Sequence, residues 1–217
     1  MKFSAVIFDM DGLMLDTERT YRDIFNRAAA DCQIEFPHWL HMKLLGRNTA
    51  DMKAILREFF NDDATFERYL ERNRHHHGIC FADAPPLKQG LSELLDFIES
   101  KKVPKAVATS TPRRVAIPRL QQCGLLDRFV SVSCGDDVAN GKPAPDLFLM
   151  AAKSIPAQPG KCVVLEDSEA GVRGAHAAGM TAIMVPDLKQ PADDVRDLAH
   201  GVYKSLVHVR EVLDPLL

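Results

Sequence analysis

The hydrophobic pattern changes character twice along the chain. The first apolar run, Ala5-Val6-Ile7-Phe8, is short and unbroken, and Asp9 and Gly12 end it. That is the pattern of a parallel strand buried on both faces, running into a loop. From residue 17 to residue 80 the period becomes helical. Tyr21, Ile24, Phe25, Ala28, Ala29 and Cys32 fall on one stripe, and Met52, Ile55, Leu56, Phe59 and Phe60 on a second. Pro37 opens a short helix between them, and residues 46–48 form a turn. Asp62-Asp63 introduces a more polar helix that runs towards Gly78. Asp16-Thr17 and Thr49 are placed to cap their helices. No strand pattern interrupts this stretch.

Beyond the prolines Pro85 and Pro86 the pattern alternates. Strands are predicted at 105–109, 129–132, 162–165 and 181–185. Helices are predicted at 87–101, after Pro112, at 145–154, at 168–178 and at the C-terminal end. Such alternation implies right-handed crossovers and a parallel sheet covered on both faces. Pro118 is expected to kink or shorten its helix. The expected fold class is α/β, a Rossmann-like parallel-sheet core (1–15 and 83–217) with an inserted α-helical cap (16–82).

Composition narrows the partners. Of 217 residues, 46% are hydrophobic and 26% charged, the balance of a soluble globular protein. A net charge of −3 argues against a nucleic-acid partner, although a local cation cluster can still hold a small anion. No run of 18 apolar residues is present to span a membrane, and the first residues lack a leader pattern. The five cysteines are scattered without a Cys-x-x-Cys pair, which suits free thiols in a reducing compartment. A cytoplasmic monomer is the expectation. His75-His76-His77 is expected to be solvated surface, since adjacent helical residues diverge.

The candidate chemistry lies at strand ends, where open parallel sheets bind ligands. The first strand delivers Asp9 and Asp11, and the second Thr109-Ser110 at the start of a helix. Lys142 lies between Gly141 and Pro143, in a loop stiff enough to position a cation. The fourth strand ends in Glu166-Asp167-Ser168. Acids there could merely cap a helix. Four carboxylates at adjacent strand ends would repel one another unless a hard cation joins them, and Mg2+ is the natural candidate.

These motifs, in this order, resemble those of the haloacid-dehalogenase-like hydrolases. The helical segment after the first motif is similar to the small cap of the subgroup containing β-phosphoglucomutase, phosphoglycolate phosphatase and pseudouridine-5′-phosphatase. The resemblance implies a magnesium-dependent phosphatase acting on a small phosphorylated metabolite, a sugar phosphate or nucleoside monophosphate. It implies Asp9 as nucleophile, Asp11 as general acid and then base, and Thr109, Ser110 and Lys142 around the phosphate. Asp9, Glu166, Asp167 and the main-chain carbonyl of Asp11 would hold the metal. Arg47, Asn48 and Glu18 are candidates for substrate contact. The alternative is a phosphosugar mutase of the β-phosphoglucomutase type. That reading is disfavoured because the chain has Tyr21 where the mutase carries a cap histidine.

Overall fold

The computed structural model describes residues 2–45, 47 and 49–217. Strand β1 (Ala5–Phe8) is buried along its whole length. Helices α1 (Glu18–Asp31), α2 (His38–Leu44), α3 (Thr49–Phe60) and α4 (Asp63–Cys80) follow it, with no strand between them among the described residues. Then come α5 (Leu91–Ser100), β2 (Lys105–Ala108), α6 (Arg113–Gln122), β3 (Ser131–Ser133), α7 (Asp146–Lys153) and β4 (Cys162–Glu166). The chain continues through α8 (Glu169–Ala177), β5 (Thr181–Met184), α9 (Asp193–Leu198), β6 (Gly201–Val202) and α10 (Leu206–Leu213).

The six strands form one parallel sheet in the order β3-β2-β1-β4-β5-β6. Period-two alternation sends Val6 and Phe8 into one apolar layer with α5, α6 and α10. Ala5 and Ile7 go into the other layer, with α7, α8 and α9. Phe8 pairs with Val107 on β2 and with Leu165 on β4, so the loops after these strands leave the sheet side by side. Strand order reverses between β1 and β4, and such a reversal opens a crevice beyond the carboxyl ends.

Helices α1–α4 bury a separate apolar cluster that includes Phe25, Leu40, Leu56, Phe66 and Tyr69. The two chain segments joining them to the sheet run against each other. Asp16 N–H donates to Pro86 O at 2.8 Å, and Lys88 N–H donates to Met14 O at 2.8 Å. Among the described residues no helix is long and apolar enough to cross a membrane.

Several elements differ from the sequence pattern. The helix expected at 87–101 begins at Leu91, because Leu87 and Lys88 pair with Leu15 and Met14 instead. Thr17 makes no side-chain capping bond, and its hydroxyl oxygen is buried without a partner among the described residues. The third strand lies at Ser131–Ser133 because Val130 is still turned outward. The C-terminal region holds α9 and the two-residue β6 before α10, and β6 is too short to show a period. Pro118 does not interrupt α6. It lies on the exposed side, where water can satisfy the carbonyl that loses its helical donor.

Candidate active site

Asp9 follows β1 directly, and its N–H donates to Leu165 O of β4 at 3.0 Å. Its side chain is buried. Lys142 reaches it from the loop before α7, with Nζ 2.5 Å from Asp9 Oδ1, 2.5 Å from Glu166 Oε1 and 2.9 Å from the carbonyl of Ala108. All three ammonium donors are therefore used. Burial alone would lower the Lys142 pKa, but the Asp9 and Glu166 carboxylates carry it above its ordinary value. Burial pushes Asp9 well above the usual carboxylate range. Lys142 opposes that shift, and Glu166 and Asp11 add to it.

Glu166 is fully buried. Its second oxygen accepts from the Ser168 N–H and hydroxyl, both at 2.9 Å, and Ser168 in turn caps α8 at Gly171 N. The carboxylate fits because Gly171 has no side chain, since an added Cβ would lie 1.9 Å from Glu166 Cδ. Gly171→Ala should therefore destabilise the fold by about 1–3 kcal/mol through overpacking and displace Lys142. Gly78→Ala, on an open helix face, should instead be neutral or mildly stabilising. Thermal melts of the two variants check this. Equal melting temperatures would remove Gly171 from the site's support.

Asp11 is held by a different set of donors. Arg119 Nη1 donates to its Oδ1 at 2.7 Å, and Thr111 Oγ1 donates to its Oδ2 at 2.7 Å. Thr109 is buried, and its hydroxyl accepts from Thr111 N–H at 3.1 Å, bending the chain into the start of α6. These groups border a cavity of about 430 Å³ between the sheet rim and helices α1–α4. Asp9, Asp11, Thr109, Ser110, Lys142 and Asp167 form its sheet side. Glu18, Tyr21, Arg47, Arg74 and His77 stand on the helical side, and Arg114 of α6 closes the rim.

The sequence candidates thus converge, with qualifications. Arg47 lines the cavity, is exposed, and has no ion-pair partner among the described residues. Asn48, like Gly46, lies outside the described residues. Glu18 is raised to about 7, first by burial and then by Asp11 and Asp187, with Lys88 opposing. Lys88 holds Asp187 at 2.7 Å and Asp16 at 3.3 Å, tying the start of α1 to the loop after β5.

The expectation of solvated histidines fails for His77. Its ring lies 4.7 Å from Phe81 and 6.1 Å from Tyr21, on the cavity wall. Burial and then Arg119 lower its pKa, which favours a neutral ring. His76 is partly covered and meets Asp31 at 2.9 Å, while His75 is exposed. Sequence reasoning also missed Arg119, and the pairing of Thr111 with Asp11. The only available signal was an Arg on a helix whose neighbouring positions are apolar.

Asp167 fits a metal-binding role by position and charge. Its carboxylate rests over the 9–12 loop, where a Cβ on Gly12 would lie 2.2 Å from Asp167 Oδ2. Burial, followed by Glu166, Asp9 and Glu18, raises its pKa well above the usual range. Among the described residues no three acidic, His or Cys side chains are gathered as a ready ligand set. Two of the four expected acids explain this, since Glu166 is taken by Lys142 and Ser168, and Asp11 by Arg119 and Thr111. Asp9 and Asp167 remain, and Mg2+ typically takes one or two carboxylates and fills its other positions with water and phosphate. The oxygen-only donor set fits that ion.

The haloacid dehalogenase-like hydrolase family matches residues 6–185. A phosphorylated carbohydrates phosphatase of Thermotoga maritima is 33% identical over 98% of this chain and 97% of its own length. A fructose-1-phosphate phosphatase of Escherichia coli is 31% identical over 85% of this chain and 97% of its own. The crystal structure of a β-phosphoglucomutase from Clostridium difficile shares the fold, with a TM-score of 0.79, 22% identity and 98% coverage of both chains.

Proposed function

Because the chain belongs to the haloacid dehalogenase-like hydrolases, we propose that it hydrolyses small phosphate monoesters of the sugar-phosphate class. The observation that carries this reading is Asp9, fixed on the cavity floor by Lys142 at 2.5 Å, with Asp11 two residues on at the same cavity. Similarity to two phosphatases of phosphorylated sugars supports the substrate class.

In the first step an Asp9 oxygen attacks phosphorus and the bond to the leaving oxygen breaks, giving an aspartyl-phosphate. Asp11 gives the leaving oxygen a proton, so an alcohol departs. In the second step water attacks phosphorus, Asp11 takes the water's proton, and Asp9 and phosphate are released. A carboxylate nucleophile thus divides one difficult transfer into two steps, each served by the same proton mover. Lys142 and the N–H groups at the start of α6 neutralise charge on the phosphoryl oxygens. Asp9, Asp167 and the Asp11 carbonyl would hold Mg2+, which when bound supplies positive charge at the phosphoryl group. Helices α1–α4 serve as a cap over the cavity, and the paired segments at Asp16 and Pro86 form its hinge.

A mutase reading gains nothing from Tyr21, whose hydroxyl accepts from Arg119 at 3.2 Å. The test is a panel of small phosphate monoesters assayed with Mg2+ and after exhaustive EDTA treatment. Release of phosphate from sugar phosphates, lost with EDTA and restored by Mg2+, is expected. Mg2+ should also raise the melting temperature, since an ion bound only to the folded state stabilises it. Asp167→Asn should abolish that rise. Undiminished activity after EDTA would overturn the metal assignment, and no phosphate release from any ester would overturn the phosphatase reading.

A further inference from the structure

The general acid Asp11 is held by a residue outside every motif. Arg119 comes from the middle of α6, is buried, and spends Nη1 on Asp11 at 2.7 Å and on Tyr21 Oη at 3.2 Å. Its guanidinium lies 4.1 Å from the centre of the Phe81 ring and 5.7 Å from that of Tyr21. Tyr21 belongs to the first turn of α1, and Phe81 follows the last residue of α4. One cation of the sheet layer therefore grips Asp11 on one side and both ends of the helical unit on the other.

A buried arginine needs a reason, because taking a guanidinium out of water costs several kcal/mol unless its partners are well placed. Asp11 supplies the charge, and the two rings supply faces that attract a cation. Arg119 Nη2 is buried with no hydrogen-bond partner among the described residues. Asp11, for its part, has each oxygen fixed by a separate donor and so has a single carboxylate orientation at the cavity wall.

We propose that Arg119 is a positioning residue that sets the Asp11 carboxylate for proton transfer and ties its orientation to the seating of the helical unit through Tyr21 and Phe81. This rests on the phosphatase reading, in which Asp11 protonates the leaving oxygen. Any shift of Tyr21 and Phe81 as the unit moves changes the face on which Arg119 rests, and hence the hold on Asp11. Without Arg119, Asp11 keeps only the Thr111 bond and can turn about its side-chain torsions.

The experiment compares kcat/KM for two esters, an alkyl phosphate whose alcohol must be protonated to leave and p-nitrophenyl phosphate, whose phenolate leaves unaided. This parameter ends at loss of the leaving group, so it isolates the step in which Asp11 acts as an acid. Arg119→Met keeps a flexible apolar stem against Phe81 but removes the donors. It is expected to lower the alkyl value about 10- to 100-fold, within the range of general-acid effects, and the aryl value less than about threefold. In an Asp11→Asn background the same substitution should change the alkyl value little, because a residue acting through Asp11 has nothing left to position. Arg119→Lys keeps the charge with one donor geometry lost and should lower the alkyl-to-aryl ratio by a smaller factor. It also keeps the test decisive if Arg119→Met does not fold. An unchanged ratio in the folded variants, or equal effects with and without Asp11, overturns the proposal. Wild-type enzyme inactive on both esters overturns the phosphatase reading and this proposal together, whereas active wild type with an unchanged ratio overturns this proposal alone.

Discussion

Replacing Lys142 by Met is expected to damage both stability and activity more than any other single change outside the two opening aspartates. In the native protein its ammonium answers two buried carboxylates and a carbonyl at 2.5, 2.5 and 2.9 Å. Removing one partner from such a cluster leaves uncompensated buried charge, a loss typically of about 3–5 kcal/mol. Asp9, whose pKa burial already raises, would relieve part of that by taking up a proton, so the loss should be larger at pH 8 than at pH 5.5. Lys142 itself does not create this dependence. Its folded pKa is raised, so its contribution is intact below the unfolded value of about 10.4 and lost only as pH climbs through the higher folded value. Urea titration at the two pH values measures the difference. Phosphate release should fall by about 10²- to 10³-fold or more, the order of effect of losing one preorganised electrostatic group beside a developing charge. Full activity with an unmoved urea midpoint would mean that the cluster supports neither the site nor the fold.

Asp9→Asn and Asp11→Asn should fail in different ways. Asp9→Asn removes the nucleophile while leaving an oxygen that can still accept from Lys142, so no phosphate should become covalently attached to the protein. It should not destabilise the metal-free protein. Asp9 has a raised folded pKa, so the penalty of holding it ionised is absent below its unfolded pKa and grows as pH rises towards the folded value. The amide removes that penalty at neutral pH. Asp11→Asn keeps the nucleophile and should lower turnover by about 10²- to 10⁴-fold, the range for a lost proton mover. Rapid quenching with labelled substrate separates the two. Phospho-protein should be detectable in the Asp11 variant with a good leaving group and absent in the Asp9 variant. Equal trapping of phosphate in wild type and Asp9→Asn would refute the nucleophile assignment.

Much of this protein was legible from local sequence. The run at Ala5–Phe8 and the later alternation are signals with period two or an unbroken apolar core, and they predicted a parallel sheet with helices on both faces. The helical stripes of residues 17–80 likewise marked out helices, which bury an apolar cluster of their own, because a 3.6-residue period is visible within a few turns. Asp9, Thr109, Lys142 and Asp167 could be nominated because each follows a strand, and parallel strands deliver their ends to one rim. What only tertiary structure decided depends on separation along the chain. Arg119 reaches Asp11 across 108 positions, and its apolar neighbours in α6 hint at burial without naming the partner it meets. Glu166 was nominated as a metal ligand from its place beside Asp167. Packing turned its oxygens onto Lys142 and Ser168 because Gly171 leaves room for them. His77 was assigned to solvent from its neighbours, yet the approach of Tyr21 and Phe81 covers it. Local sequence determined which residues end their strands at the rim. The three-dimensional pairing of helices decided which charges meet there, because burial and ion pairing depend on contacts that no local period encodes.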